Sequence, residues 1–188
     1  MLKLHVIIGS TRPGRMGLPI GRWFHGYAQR HGKFEVRLVD LAEVNLPFLD
    51  EPKHPRFQQY EHEHTKRWSA KVRAADAFLF VTPEYNYGMP PSLLNALTYL
   101  SAEWAYKAAG FVSYGGASGG TRSAHMARGS MSAFKLIAIP EAVSLPFFMK
   151  TIENGVFTPG ETQDKTLATV LDELARWTGA LSTLRTQS

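Results

Sequence analysis

The sequence predicts a three-layer α/β domain built on a parallel sheet of five strands. Short apolar runs alternate along the chain with longer segments whose apolar residues recur at helical spacing. Right-handed crossovers between parallel strands place such helices on both faces of the sheet, which predicts a doubly wound architecture. No repeat, low-complexity tract or linker interrupts the 188 residues, so we expect a single domain over residues 1–188.

The strands are predicted from short apolar runs. The first is rich in β-branched residues, and the second alternates apolar and polar residues, which is typical of a strand with one less buried face. The fifth is expected to break at Pro140, because proline has no N–H to donate within a sheet. The predicted strands cover residues 2–8, 34–41, 77–82, 109–113, and 135–139 with 143–145.

The helices are predicted from apolar periodicity and from their start signals. Pro91 favours the first turn of the helix that follows the third strand. Thr158, Pro159 and Glu161 resemble a capping box before the last helix, whose apolar stripe extends to Leu184. The earlier helices are predicted at residues 18–30, 56–74, 91–102 and 121–134, with a proline-rich loop over residues 45–55.

The composition excludes several classes of protein. There is no cysteine, so disulfides, thiolate metal sites and cysteine nucleophiles are excluded, and redox chemistry would require a bound cofactor. No apolar stretch approaches the roughly 20 residues of a membrane span, and residues 1–9 are too short for a secretory signal, so we expect a cytoplasmic protein without a membrane partner. The net charge of +5 is dispersed, which favours small anionic substrates over nucleic acid.

Three glycine-punctuated loops follow the first, third and fourth predicted strands. They are GSTRPGRMG at residues 9–17, PEYNYGMPP at residues 83–91 and YGGASGG at residues 114–120. In an open α/β sheet, ligands bind beyond the carboxyl ends of the strands, and the strand order 2-1-3-4-5 brings the loops after strands 1, 3 and 4 to one mononucleotide site. We therefore expect the three loops to form a single site.

The first loop has the groups that bind a phosphate. Ser10 and Thr11 offer hydroxyls, Arg12 and Arg15 offer charged donors, and the glycines let the main chain approach an anion at a helix start. Nucleotide hydrolysis is not expected, because Arg15 and Met16 occupy the lysine and Ser/Thr positions of a Walker loop; the GxGxxG pattern is also absent. An ordinary strand-to-helix turn remains the alternative.

The second and third loops suit a flat ring. The second combines tyrosines and peptide groups between proline-stiffened ends, which makes a rigid ledge for a heteroaromatic ring. The third exposes peptide N–H groups that can bind electron-rich ring edges. The alternatives are a tight turn packed by tyrosines for the second loop and a flexible connector for the third.

Three segments together resemble the NADPH-dependent FMN reductase family. They are GSTRPGR after the first strand, PEYNYGMPPSLLNALTYLSAEW after the third, and VSYGGASGGTRSAHMAR around the fourth. The resemblance extends from Leu4 to about Leu184 and implies a flavodoxin-like fold. It also implies noncovalently bound FMN, NADPH or NADH as the hydride donor, a quinone, azo compound, metal oxyanion or free flavin as the acceptor, and a homodimer or homotetramer.

The same resemblance implies where FMN is held. The phosphate would lie in the first loop, the isoalloxazine ring against the second, and the third loop would approach the far side of the flavin. No side chain is assigned as catalytic, because the hydride transfer needs no protein acid or base. The implied cofactor-binding residues are Ser10, Arg12, Arg15, Met16, Gly17, Pro83, Glu84, Tyr85, Asn86, Tyr114, Gly115, Gly116 and Ser118.

The chain departs from the family pattern at a few positions. Many members carry serine and asparagine in the phosphate loop where this chain has Arg15 and Gly17, so a neutral hydrogen-bonding group is replaced by a second cation. Ala108 stands where the family commonly has proline. The first departure bears on the phosphate contacts, and the second on the approach to the fourth strand rather than on the chemistry.

Other conspicuous side chains are assigned no site. His54, His62 and His64 fall in a polar loop and at a helix start, and residues two apart on a helix do not face each other, so no metal site is predicted. Trp104 and Tyr106 fit the core, a subunit contact or a nicotinamide pocket.

Two other functions stay open on the sequence. A flavodoxin-type electron carrier would share the fold, although such carriers are typically acidic and this chain is basic. A phosphate-binding regulatory module without redox activity would need only the first loop. Flavin absorption and nicotinamide oxidation distinguish the three functions.

Overall fold

The computed structural model describes residues 1–185 and contains a parallel sheet of five strands in the order 2-1-3-4-5. This order confirms the predicted flavodoxin-like, doubly wound topology. Every neighbouring pair in the sheet is parallel, so all five strands point their carboxyl ends to the same edge. The strands are β1 (Leu2–Ile8), β2 (Phe34–Asp40), β3 (Ala77–Pro83), β4 (Ala108–Gly115) and β5 (Ile137–Pro146).

The helices cover both faces of the sheet and enclose a separate apolar core on each. They are α1 (Gly17–His31), α2 (Leu41–Val44), α3 (Glu63–Arg73), α4 (Pro91–Thr98), α5 (Thr121–Ser132) and α6 (Glu161–Arg185). Residues of α1 and α6 pack on one face, where Phe24 and Leu171 are fully buried. Residues of α3, α4 and α5 pack on the other, where Trp68 and Leu97 are buried with Trp104. Trp104 therefore belongs to the core.

The edge strand β5 continues through Pro140, where the sequence predicted a break. Its pairing with β4 shifts register there, since Ala109 pairs with Ala138 whereas Phe111 pairs with Ala142. A bulge of this kind leaves residues without ladder partners, so a proline at a sheet edge is tolerated. The strand consequently extends to Pro146 and delivers the following residues to the carboxyl edge.

The helix predicted over residues 56–74 is shorter than expected. A separate 3-10 turn, Pro55–Phe57, ends at Gln58, whose φ of 53° is left-handed. The α3 helix then begins only at Glu63. The helix after β3 is also shorter than predicted, because it ends at Thr98.

Two small elements were not predicted. The α2 turn follows β2 directly and is capped by the Asp40 side chain, which accepts the N–H of Ala42. A hairpin of two short strands, β6 (Ile152–Glu153) and β7 (Val156–Phe157), precedes α6. Across residues 1–185, no helix combines the length and the apolar character that crossing a bilayer requires.

Candidate functional site

The loops after β1, β3 and β4 converge on one cavity of about 400 Å³ at the carboxyl edge of the sheet. Most of the predicted site residues line it, and they are joined by two residues that follow β5. The lining residues are Arg12, Pro13, Gly14, Arg15, Met16, Pro83, Glu84, Tyr85, Tyr114, Gly115, Gly116, Phe148 and Met149. Ser10, Gly17, Asn86 and Ser118 do not line this cavity.

Ser10 joins the first loop to the second. Its side chain is fully buried, and its hydroxyl hydrogen-bonds the Tyr85 hydroxyl at 2.7 Å. Directly before it, the Gly9 N–H donates to the carbonyl of Val81 in β3 at 2.9 Å. Ser10 therefore holds the two loops together from behind the cavity wall.

Arg15 is tied to the end of β2. The first loop turns at Gly14, whose φ of 71° is left-handed, and the Arg15 N–H closes this turn on the carbonyl of Arg12 at 3.0 Å. The Arg15 guanidinium then donates from Nη2 to the Asp40 carboxylate. Its Nε is buried and has no hydrogen-bond partner within residues 1–185.

Gly17 lies beneath the cavity, against Tyr114. A Cβ added to Gly17 would stand 2.7 Å from the Tyr114 hydroxyl, so a larger residue would have to displace that side chain. Burial, followed by the nearby Tyr85, raises the pKa of Tyr114 above its ordinary value, and the phenol stays protonated. Glycine at position 17 therefore provides the space that Tyr114 fills.

Glu84 joins the second loop to the third. Its carboxylate accepts the Ser118 hydroxyl at 2.8 Å and the Arg122 main-chain N–H at 3.1 Å. The Glu84 N–H in turn donates to the Tyr114 carbonyl at 3.1 Å. Burial alone would raise the pKa of Glu84, but the hydrogen bonds from Ser118 and Arg122 outweigh it and hold the pKa below its ordinary value. Glu84 thus stays ionised and holds the second and third loops in a fixed position relative to each other.

The tip of the second loop is a tight turn on the outside of the cavity. Asn86 and Tyr87 both have left-handed φ angles, 48° and 66°, and Tyr85 and Gly88 exchange main-chain hydrogen bonds of 3.0 and 2.9 Å. Both tip side chains are exposed, and the guanidinium of Arg122 lies 4.4 Å from the centre of the Tyr87 ring. The structure therefore places Asn86 apart from the cavity residues.

The third loop depends on glycine for its shape. Gly120 has a φ of 81°, and a Cβ there would lie 2.5 Å from the Tyr114 nitrogen. The hydroxyls of Ser113 and Ser144 both donate to the Gly119 carbonyl, at 2.9 and 3.1 Å. At Gly116, by contrast, an added Cβ would meet no atom within 4 Å. The Cα of Gly116 thus faces open space, although its carbonyl accepts the Gly119 N–H at 3.1 Å.

Phe148 and Met149 complete the cavity and were not predicted. The Phe148 ring meets the Tyr114 ring edge to face at a centroid distance of 4.9 Å, and the preceding Phe147 N–H donates to the Gly116 carbonyl at 3.1 Å. Met149 is 67% exposed. The signal for these residues was the apolar run PFFM directly after residue 145, where the predicted fifth strand ends and a polar loop is usual.

The family model for NADPH-dependent FMN reductases matches residues 2–150 of this chain. The chain belongs to this family. A curated NAD(P)H-dependent FMN reductase from Nectria sp. is 34% identical over 179 residues, which cover 89% of this chain and 88% of that protein. An NAD(P)H:quinone oxidoreductase from Solanum tuberosum is 37% identical over 154 residues, 73% of this chain and 72% of that protein.

A solved structure with the same fold supports the topology of this FMN reductase family member. It is FerB, a flavoenzyme NAD(P)H:(acceptor) oxidoreductase from Paracoccus denitrificans. The two structures superpose with a TM-score of 0.74 at 21% sequence identity, covering 96% of this chain and 98% of that one. At this identity the similarity establishes the fold.

FMN fits the residues of the cavity. Its volume of about 400 Å³ lies within the range of about 300–1,000 Å³ that is usual for small-molecule sites. At one end, Arg12 and Arg15 line the cavity, and the Arg15 guanidinium has N–H donors beyond the Nη2 group that Asp40 engages, as a phosphate site requires. At the other, Pro83 and Glu84 line the cavity, and the open space at the Gly116 Cα leaves room for a flavin ring.

Proposed function

We propose that residues 1–188 form one FMN-binding domain that oxidises NADPH or NADH and passes the electrons to a quinone, azo compound, metal oxyanion or free flavin. The convergence of the three predicted loops on one cavity carries this proposal, because Arg12 and Arg15 lie at that cavity together with the main chain of the second and third loops. The activities of the relatives from Nectria and Solanum tuberosum, an NAD(P)H-dependent FMN reductase and an NAD(P)H:quinone oxidoreductase, support the use of nicotinamide and flavin.

The first loop would bind the phosphate of FMN. Arg12 and Arg15 supply charged donors, and Met16 and Gly17 start the helix α1, whose free N–H groups favour an anion. Ser10 would contribute indirectly, because its hydrogen bond to the Tyr85 hydroxyl holds Tyr85 against this loop. The cavity therefore has a cationic end that is fixed to the sheet at both β1 and β2.

The second and third loops would orient the ring. Pro83, Glu84 and Tyr85 form one wall, and Tyr114, Gly115 and Gly116 form the other. Ser118 contributes through its hydrogen bond to Glu84. FMN, if held between these walls, would supply the chemistry of hydride transfer between the nicotinamide and the acceptor. The protein's part is to hold the ring in place and to exclude water from it, so no residue is assigned as acid or base.

We propose further that the protein is cytoplasmic, has neither a nucleic-acid nor a membrane partner, and forms a homodimer or homotetramer. The exposed side chains of Phe147 and Met149 beside the cavity provide apolar surface for a subunit contact.

A visible spectrum followed by anaerobic titration tests the proposed function. The purified protein, supplied with FMN, is expected to show flavin absorption that bleaches on addition of NADPH or NADH and returns with a quinone. Flavin that binds but is reduced by neither nicotinamide would favour an electron carrier. A protein that takes up no FMN would contradict the proposal and favour a phosphate-binding regulatory module.

A further inference from the structure

Asp40 stands directly beside the first loop because of the strand register. In the β1–β2 ladder it is the partner of Ile8, the last residue of β1. Its side chain is 5% exposed and that of Arg15 is 17% exposed, so their ion pair is largely removed from solvent. A buried pair of this kind fixes the guanidinium in one orientation.

The ion pair with Asp40 does not engage all of the N–H donors of the Arg15 guanidinium. Arginine has five N–H donors in a planar fork, and Asp40 engages Nη2. The Nε–H is buried without a partner among the described residues, which is costly for a charged donor. Because Arg15 also lines the cavity, a phosphate bound there would satisfy donors that Asp40 does not reach.

We propose, resting on the proposed FMN site, that Asp40 is a positioning residue that orients Arg15 toward the 5′-phosphate of FMN. An arginine side chain is long and flexible, so it needs a partner to hold one orientation. Asp40 holds it at the cavity instead of letting it extend into solvent. Asp40 does not touch the phosphate itself, since both of its oxygens are engaged, one by Arg15 and the other by the N–H of Ala42.

Two other roles for Asp40 predict different results. If Asp40 only caps α2, asparagine would replace it fully, because an asparagine side-chain oxygen also accepts the Ala42 N–H. If Asp40 instead competes with the phosphate for Arg15, removing its charge would tighten FMN binding. Only the positioning role predicts weaker binding that depends on both Arg15 and the phosphate.

The test compares the dissociation constants of FMN and riboflavin, which lacks the phosphate, by flavin fluorescence quenching. In Asp40→Asn we expect FMN to bind about tenfold more weakly and riboflavin to bind as in the wild type. In Arg15→Ala we expect a loss of about tenfold to a hundredfold for FMN alone. Adding Asp40→Asn to Arg15→Ala is expected to cause no further loss, because Asp40 acts through Arg15.

Glu103→Gln is the matched control. Glu103 is a buried carboxylate that also pairs with an arginine, Arg73, at 3.1 Å, but it does not line the cavity. This change is expected to leave both flavin affinities unchanged.

A measurement on the unaltered protein covers the case in which a variant does not fold. The Arg15 side-chain Nε–H resonance in nitrogen-15 NMR is expected to shift on addition of FMN and to stay in place on addition of riboflavin. An unchanged Arg15 resonance with FMN bound would overturn the proposal. So would an Asp40→Asn protein that binds FMN as tightly as, or more tightly than, the wild type, or an equal loss for FMN and riboflavin. If the wild type binds neither flavin, the proposed function itself fails.

Discussion

Arg122 donates to the Glu84 carboxylate twice, from its main-chain N–H at 3.1 Å and from its guanidinium at 2.5 Å. Glu84 directly follows β3, and Arg122 lies in the first turn of α5. The loop between β4 and α5 is therefore attached to the loop after β3 by charged hydrogen bonds, which are about twice as strong as neutral ones.

Replacing Glu84 with glutamine is expected to remove an acid-sensitive part of the stability. The pKa of folded Glu84 lies below its ordinary value of 4.5. The ionised carboxylate therefore stabilises the fold above pH 4.5, and this contribution is lost as the pH falls through the folded pKa. In chemical denaturation between about pH 7 and about pH 3, Glu84→Gln should lose less stability than the wild type.

The control for Glu84 is Glu161→Gln, which removes an exposed carboxylate paired with Lys165 at the start of α6. It should follow the wild-type pH profile, since exposed pairs contribute little. Identical profiles for the wild type and Glu84→Gln would contradict the structural role assigned to Glu84.

His5 is expected to make the fold less stable in mild acid. Burial, and then the positive charges of Arg37, Lys107 and Lys71, lower its pKa from 6.5 to about 4. Below pH 6.5 the unfolded chain binds a proton that the folded chain does not, so stability falls as the pH falls from 6.5 to about 4. The slope from this group is at most about 1.4 kcal/mol per pH unit.

In His5→Leu, that slope should be reduced when the free energy of unfolding is measured across this pH range. His125→Gln, on the exposed side of α5, serves as the control and should keep the wild-type slope. An unreduced slope in His5→Leu would show that another group causes the acid sensitivity.

Gly120→Ala is expected to disrupt the third loop. The left-handed φ of 81° strains any other residue, and the new Cβ would meet the Tyr114 main chain. We expect a loss of about 1–3 kcal/mol in the free energy of unfolding, together with weaker FMN binding. The matched change Gly129→Ala, within α5 and with no atom within 4 Å of the added Cβ, should stabilise by about 0.5–1 kcal/mol. Equal stabilities for the two variants would contradict the packing described for Gly120.

Phe148→Ala is expected to weaken the cavity wall that the segment after β5 provides. Removing the ring takes away the edge-to-face contact with Tyr114, so we expect FMN to dissociate more readily, with its dissociation constant raised about threefold to tenfold. Fluorescence of released FMN measures this directly. Phe48→Ala, a change at an 84% exposed ring outside this cavity, should have no effect. A Phe148→Ala protein with wild-type affinity would exclude this segment from the site.

The convergence of the three loops was predictable because its causes are local. Glycines and prolines mark the ends of β1, β3 and β4, and the strand order 2-1-3-4-5 was inferred because it brings the loops after these three strands to one site. Each loop could therefore be assigned to the same edge without knowledge of distant contacts. The residue roles assigned to FMN binding remain predictions.

Other contacts depend on register and packing that no local pattern encodes. Arg15 reaches Asp40 only because Ile8 pairs with Asp40 across the sheet. The approach of Phe148 to Tyr114 requires β5 to continue past its bulge. The same bulge explains why the prediction from Pro140 made the fifth strand too short.

We expected His62 and His64 not to face each other, because residues two apart on a helix point in different directions. The rings do meet, because His62 lies before the helix. His62 precedes α3 with an extended main chain, so its ring stacks on that of His64 at a centroid distance of 5.2 Å. Both rings bind Asp50, through its carbonyl and its carboxylate. Within residues 1–185, no group of three histidine, cysteine, aspartate or glutamate side chains is arranged to hold a metal ion.

The hydroxyl pair of Ser10 and Tyr85 has a kinetic consequence. Because it joins the β1 and β3 loops through groups that belong to the protein alone, both ends of the cavity keep their spacing before any flavin arrives. Association then requires no slow rearrangement. Stopped-flow mixing with FMN should show a single phase whose observed rate rises linearly with flavin concentration, without the plateau that a preceding isomerisation imposes.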